Sequence, residues 1–186
     1  MLILLFVANA LPDRYLLFPE GIAGPAKITL WTIVILALLL SGFPGFRPYR
    51  RAIAIGLTVL GSLVSIGYFA TIFGRIAAGG STLKGGPLLE AAITVWILLV
   101  FTFSLWYWLL DAGSDFFFPQ TESDRFAGWK PTYVDYLSLS FNTSTAFSPT
   151  DVLPASPRAK LLMMLQAIMS LATVALAAAR AVNVLG

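Results

Sequence analysis

Oxygen-bearing side chains crowd one short stretch of this chain. Residues Phe141 to Asp151 read FNTSTAFSPTD, an uncharged run of hydroxyl residues that ends in Pro149 and the Asp151 carboxylate and is flanked on both sides by apolar sequence. The chain holds no histidine and no cysteine, so no imidazole activates these serines and threonines, and thiolate chemistry, disulfides and imidazole metal ligands are absent as well. Neither an enzyme nor a cofactor is expected. A surface loop needs no such run, and a membrane helix does not tolerate Ser148, Pro149, Thr150 and Asp151 in succession unless protein or water surrounds them. The neighbouring elements must supply those surroundings.

Composition fixes the solvent. The 186 residues are 58% hydrophobic and 11% charged, with mean hydropathy +0.84, far outside the range of soluble domains. An integral membrane protein with the lipid bilayer as its first partner is the reading, and a bacterial cytoplasmic membrane is its expected location. The net charge of +3 comes from cations at the ends of apolar segments, as membrane topology requires, so no nucleic-acid partner is implied.

The fold expected is all-α and polytopic. MLILLFVANA has only about ten apolar residues before Pro12, where spanning takes about 20, so it reads as an interfacial helix or as the tail of a longer helix whose start is missing. Four transmembrane helices follow. The first runs from about Lys27 to Phe43, between Pro25 and the stop at Gly42 and Pro44; the second, about Arg51 to Ile76, carries Gly56, Gly61, Gly67, Ala70 and Gly74, a close-packing face. The third, about Leu88 to Asp111, ends in Trp106, Tyr107 and Trp108, an interfacial aromatic belt; the fourth runs from about Pro157 to Leu185. Glu90 and Arg180 lie close enough to helix ends to reach the interface and are not expected to be sites.

Between the last two spans lies a polar stretch, Ala112 to Pro131, followed by PTYVDYLSLSFNTSTAF. Thr132 and Asp135 form a capping-box pattern just after a proline, so a short helix is expected from Thr132 to about Ser144. It is too short to span and too apolar for a soluble loop, which makes it a re-entrant segment.

This order resembles the pore module of the potassium-channel superfamily: outer helix, turret, pore helix, selectivity filter, inner helix. The family pattern around the filter reads roughly S-F-x-T-x-T-T-V-G-Y-G-D-x-x-P, and Ser140 to Pro154 reads SFNTSTAFSPTDVLP without a gap. Ser140, Phe141, Thr143, Thr145, Asp151 and Pro154 coincide with it. The resemblance covers about the last 100 residues and divides the chain into 1–86, N-terminal membrane helices, and 87–186, a channel-like pore module.

The departures are specific. Where the family's glycines let filter carbonyls replace the hydration shell of potassium, this chain has Ala146, Phe147, Ser148, Pro149 and Thr150. Pro149 fixes φ and pushes Ser148 towards extended geometry, so a stack of carbonyl rings is not expected, and the hydroxyls of Thr143, Thr145, Ser148 and Thr150 become the available oxygen ligands. Asp151 reads either as a charged ring at a pore mouth or as a cap or ion pair with Arg158 or Lys160. On the last helix Gln166, Ser170, Thr173 and Ala177 share one stripe. That stripe is either a polar cavity lining or a helix-packing face.

The resemblance implies a homotetramer, because one pore loop per chain needs four chains to enclose a path, with passive, weakly selective conduction of monovalent cations. The alternative is a non-conducting relative, plugged by Phe147 and Pro149, that acts as an accessory or structural subunit. Orientation is contested: Arg47, Arg50 and Arg51 place their loop in the cytoplasm, and counting helices from there puts FNTSTAFSPTD on the same side, opposite to a potassium channel.

Overall fold

The computed structural model describes Thr32 and residues 44–77, 85–111, 114–122, 128–145 and 152–185. The short N-terminal segment and the first expected span, 27–43, lie outside the described residues, Thr32 excepted, and so do residues 146–151.

The described chain is mostly helical. A 3-10 turn, Pro44–Tyr49, leads into helix α1, Arg50–Ala77; then come α2, Gly85–Leu110, α3, Tyr133–Thr145, and α4, Pro157–Leu185. Three stretches are long and apolar enough to cross a membrane: Arg51–Thr71, Ala91–Leu110 and Pro157–Ala175. These match the second, third and fourth spans read from the sequence. At 13 residues α3 is too short to do so, and it lies one residue further along the chain than the expected Thr132 to about Ser144.

By internal packing the chain divides into two units, Met1–Leu98 with Thr173–Gly186, and Leu99–Ala172. In the first, α1 satisfies its own hydroxyls: Thr58 donates to the Ala54 carbonyl, Ser62 to Thr58, Ser65 to Gly61 and Thr71 to Gly67, each at 2.8 Å. Such bonds to the preceding turn help hydroxyl side chains sit in an apolar helix. Its buried face runs through Leu57, Thr58, Ser65 and Tyr68. Gly56 and Gly74, expected on the packing face, are instead exposed, with nothing within 4 Å of where a Cβ would stand. Small residues permit close approach; they do not compel it.

The second unit contains the end of α2, the connection to α3, α3 itself and the start of α4. The connection is less solvated than its composition suggests. Phe116–Phe117 forms a short strand, β1, antiparallel to Leu153–Pro154, β2, with Phe116 opposite Pro154 and Phe117 opposite Leu153. Phe116 and Phe118 are buried and meet Tyr136 at ring separations of 6.2 and 5.5 Å; Phe116 also meets Tyr107 at 5.1 Å and Phe118 meets Trp129 at 5.7 Å. Edge-on aromatic contacts of this kind add to the hydrophobic gain of burying the rings. The described part of the expected polar turret, residues 114–122 and 128–131, thus forms an aromatic cap.

Candidate functional site

The half-helix α3 carries the hydroxyl stretch, so what holds α3 decides what that stretch can do. Its start is fixed locally. The backbone N–H and hydroxyl of Thr132 both donate to Asp135 Oδ2, over 2.6 and 2.8 Å, which occupies a donor that would otherwise be left open at the helix N-terminus. Tyr133 shares a 2.9 Å hydrogen bond with Ser104, and Tyr136 donates to Asp111 Oδ2 at 2.6 Å, tying the first turn of α3 to the last turns of α2 and the residue after it.

Towards its C-terminal end α3 is held by a buried polar network centred on Gln166. The Gln166 amide nitrogen donates to the Ser140 carbonyl at 2.8 Å, to Ser140 Oγ at 2.7 Å and to Ser144 Oγ at 2.6 Å, sharing two N–H groups among three acceptors. Its carbonyl oxygen accepts a hydrogen bond from the Tyr107 phenol. Ser140 Oγ passes its own proton to the Val100 carbonyl at 2.7 Å, and Ser170 Oγ donates to Ser144 Oγ at 3.1 Å. Tyr107, Ser140 and Gln166 have no exposed surface at all. Burying these groups is tolerable because each is paired; an unpaired amide or hydroxyl there would cost about 1–3 kcal/mol.

A second anchor sits at the start of α4. Ser156 caps that helix by accepting from the Ala159 N–H at 3.2 Å, with Pro157 at the first helical position, where its missing donor is not needed. The Ser156 hydroxyl and the Arg158 guanidinium converge on Asp115, with Arg158 Nε 2.6 Å from Oδ1 and Nη2 3.0 Å from Oδ2. The Asp115 side chain is 1% exposed, that of Arg158 64%. The Asp115 carbonyl also accepts from the Ala155 and Ser156 N–H groups, which continues the β1–β2 pairing. The end of α3 and the strand β2 are thus each anchored within the described chain.

Of the filter-like residues, Thr143 and Thr145 lie on the last turns of α3, while Ala146, Phe147, Ser148, Pro149, Thr150 and Asp151 lie outside the described residues. Thr143 Oγ1 donates to the Leu139 carbonyl at 2.8 Å and is within reach of the Tyr107 phenol; Thr145 Oγ1 donates to the Phe141 and Asn142 carbonyls at 3.1 and 3.2 Å. Both hydroxyls give their proton to their own helix and keep lone pairs that can accept or coordinate.

Of the α4 stripe, Gln166 and Ser170 turn towards α3, and the contacts they make within the chain are those of the packing face. Thr173 is buried, and the Ala177 side chain lies outside the description. Arg158, weighed as a partner for Asp151, pairs with Asp115. Tyr107, assigned to an interfacial belt, is instead fully buried, while its neighbour Trp108 is exposed. Ser144, Tyr107 and Asp115 were missed as structural partners. Matching four-residue spacings, Ser140–Ser144 on α3 and Gln166–Ser170 on α4, were the available signal, since residues four apart share a helical face.

Compared with models of known protein families, with curated proteins and with solved structures, the chain matches none.

Proposed function

We propose that this chain is a channel-like protein of the bacterial cytoplasmic membrane, whose pore module, 87–186, assembles as a homotetramer for passive, weakly selective conduction of monovalent cations. One observation carries the reading: a 13-residue half-helix, flanked by two helices of membrane-spanning length, is docked on both through buried hydrogen bonds to Val100 and Gln166, with the hydroxyl stretch at its end. Irregular backbone at membrane depth needs protein or water beside it, and a ring of four such chains provides both. Thr143, Thr145, Ser148 and Thr150 are then the oxygen ligands, and Asp151 the carboxylate at the mouth.

A second reading, a non-conducting relative acting as an accessory or structural subunit, is favoured by a separate observation. The exposed face of α4 is apolar, through Leu161, Met164, Ile168 and Leu171. Hydrocarbon walls of that kind close a narrow passage to water.

The deciding experiment is ion flux across liposomes holding the purified protein, under potassium, sodium and chloride gradients, with a Ser148→Gly/Pro149→Tyr/Thr150→Gly variant alongside. Cation flux in the parent supports the channel. Silence in the parent with flux in the variant supports a plugged relative, and silence in both, in protein of tetrameric mass, removes conduction from the proposal.

A further inference from the structure

We propose that one strip of α3, through Asp135, Ser138, Asn142 and Thr145, borders water down to the middle of the membrane and forms the wall of a hydrated recess that leads to the hydroxyl stretch. The recess requires only that the two helices beside α3 span a bilayer; its bearing on conduction rests on the channel reading above.

Depth follows from two hydrogen bonds. Ser140 Oγ donates to the carbonyl of Val100, the tenth of the twenty residues Ala91–Leu110. The Ser140 carbonyl accepts from Gln166, the tenth of the nineteen residues Pro157–Ala175. Both partners stand midway along their spans. The first turn of α3 is tied through Tyr136 to Asp111, the residue just beyond the Ala91–Leu110 span. The half-helix thus runs from a span end to mid-span, and Asn142, two residues past Ser140, lies at that depth.

At about 100° per residue, the four residues of the strip fall within about 80° of the helix circumference. The buried Tyr136, Ser140 and Ser144, on the docked side of α3, each lie at least about 100° from all four. Ser138 is exposed and the other three are half-buried. Val134 and Phe141, also exposed, form an apolar edge beside the strip.

Two polar side chains on this strip are not satisfied by the chain itself. The Asn142 amide nitrogen reaches only Ser138 Oγ, at 3.5 Å, longer than an ordinary N–H···O bond. Among the described residues, the Asn142 amide oxygen accepts from no donor and the Ser138 hydroxyl donates to no acceptor. Thr58, Ser62, Ser65 and Thr71 of α1, and Thr143 of α3, each turn the hydroxyl proton back to the preceding turn; Ser138 does not. Acyl chains offer neither donor nor acceptor, so a hydrocarbon neighbour would strand an amide and a hydroxyl at mid-membrane. Water supplies both. The exposed Lys130 and Thr132, just before α3, make the strip continuous with the polar surface at its outer end. In the channel reading, hydrated cations then meet the Asn142 amide before the hydroxyl stretch.

The chain has no cysteine, so introduced thiols report on water: a thiol reacts as its thiolate, which apolar surroundings suppress. Single variants Thr132→Cys, Ser138→Cys, Phe141→Cys, Asn142→Cys and Val100→Cys, each checked for parental thermal unfolding, are reconstituted full-length in liposomes. A charged methanethiosulfonate is supplied on both sides of the bilayer. Positions 138 and 142 should label within about tenfold of the rate at 132 and at least about a hundredfold faster than buried position 100, while 141 should lag 142 by about tenfold or more. Labelling at 138 and 142 as slow as at 100 overturns the recess, the strip then being covered by acyl chains or a second copy. Fast labelling at 138 with none at 142 overturns its depth. Equal rates at 141 and 142 overturn the strip, because the whole half-helix would then stand in water. None of these readings needs ion flux: the expected labelling in a protein that conducts nothing would support the recess and remove the channel.

Discussion

Gln166 Nε2 stands 2.6 Å from Ser144 Oγ, across 22 residues of sequence, and through this contact α4 reads the end of the half-helix α3. Together with the bonds to Ser140 and Tyr107 it places one amide at the junction of three helices. Ser140, bonded to the Val100 carbonyl as well as to Gln166, joins the same three helices, so this pair holds the end of α3.

Replacing that amide is therefore costly. Gln166→Leu leaves the Ser140 and Ser144 oxygens without its donors and should lower stability by about 1–3 kcal/mol. Gln166→Glu keeps an acceptor for Tyr107 but has no N–H to give and buries a charge, so it should be worse at neutral pH. Thermal unfolding in detergent micelles should rank parent, leucine variant and glutamate variant in that order; parental stability in the glutamate variant would mean that the donor role is misassigned.

Asp115 and Arg158 form an unequal pair, the acid buried and the base open to the outside. Removing only Arg158 strands a buried carboxylate, whereas removing both charges does not. Arg158→Met should accordingly speed chymotrypsin cleavage around Phe116 to Phe118 more than the double variant Asp115→Asn/Arg158→Met does. Equal rates for the two would show that the carboxylate is adequately held by Ser156 without the guanidinium.

Tyr136 gives the cap a pH dependence. Burial first, then its hydrogen bond to Asp111 and the negative charges of Asp111 and Asp135, push the phenol above the usual tyrosine range. A folded-state pKa raised above the unfolded one stabilises the protein fully below the unfolded value, about 10, and that contribution is lost as pH rises through the raised folded value. Stability measured from neutral to strongly alkaline pH should fall more steeply in the parent than in Tyr136→Phe. Coincident curves would remove Tyr136 as the titrating group.

The start of α3 rests on a single carboxylate. Asp135→Ala deletes both bonds from Thr132 and should cost about 1 kcal/mol, with the loss confined to the first turn. Amide hydrogen exchange should quicken from Tyr133 to Tyr136 and stay unchanged at Ser140 and beyond; loss of protection along the whole helix would indicate that the cap, rather than Gln166, holds it in place.

Much of the scaffold was determined by sequence alone, because the signals involved are local. Apolar length against the thickness of a bilayer gives the three long helices, and the pattern Pro131, Thr132, Asp135 starts a half-helix whose 13 residues follow from where its apolar content ends. Ser156 and Pro157 likewise mark the first turn of α4 by the cap they form and the donor proline lacks.

Which way each face points was decided only in the tertiary structure. The spacing of Gln166 and Ser170 says that they share a stripe; it does not say whether α3 or open space lies opposite, since small and polar residues serve both ends. Asp115 meets Arg158 across 43 residues, and Phe116–Phe117 pairs with Leu153–Pro154 beyond the half-helix, contacts that exist because folding closes that loop. A carboxylate is satisfied by whichever cation the packing delivers, and that choice is made by the whole chain rather than by any window of it.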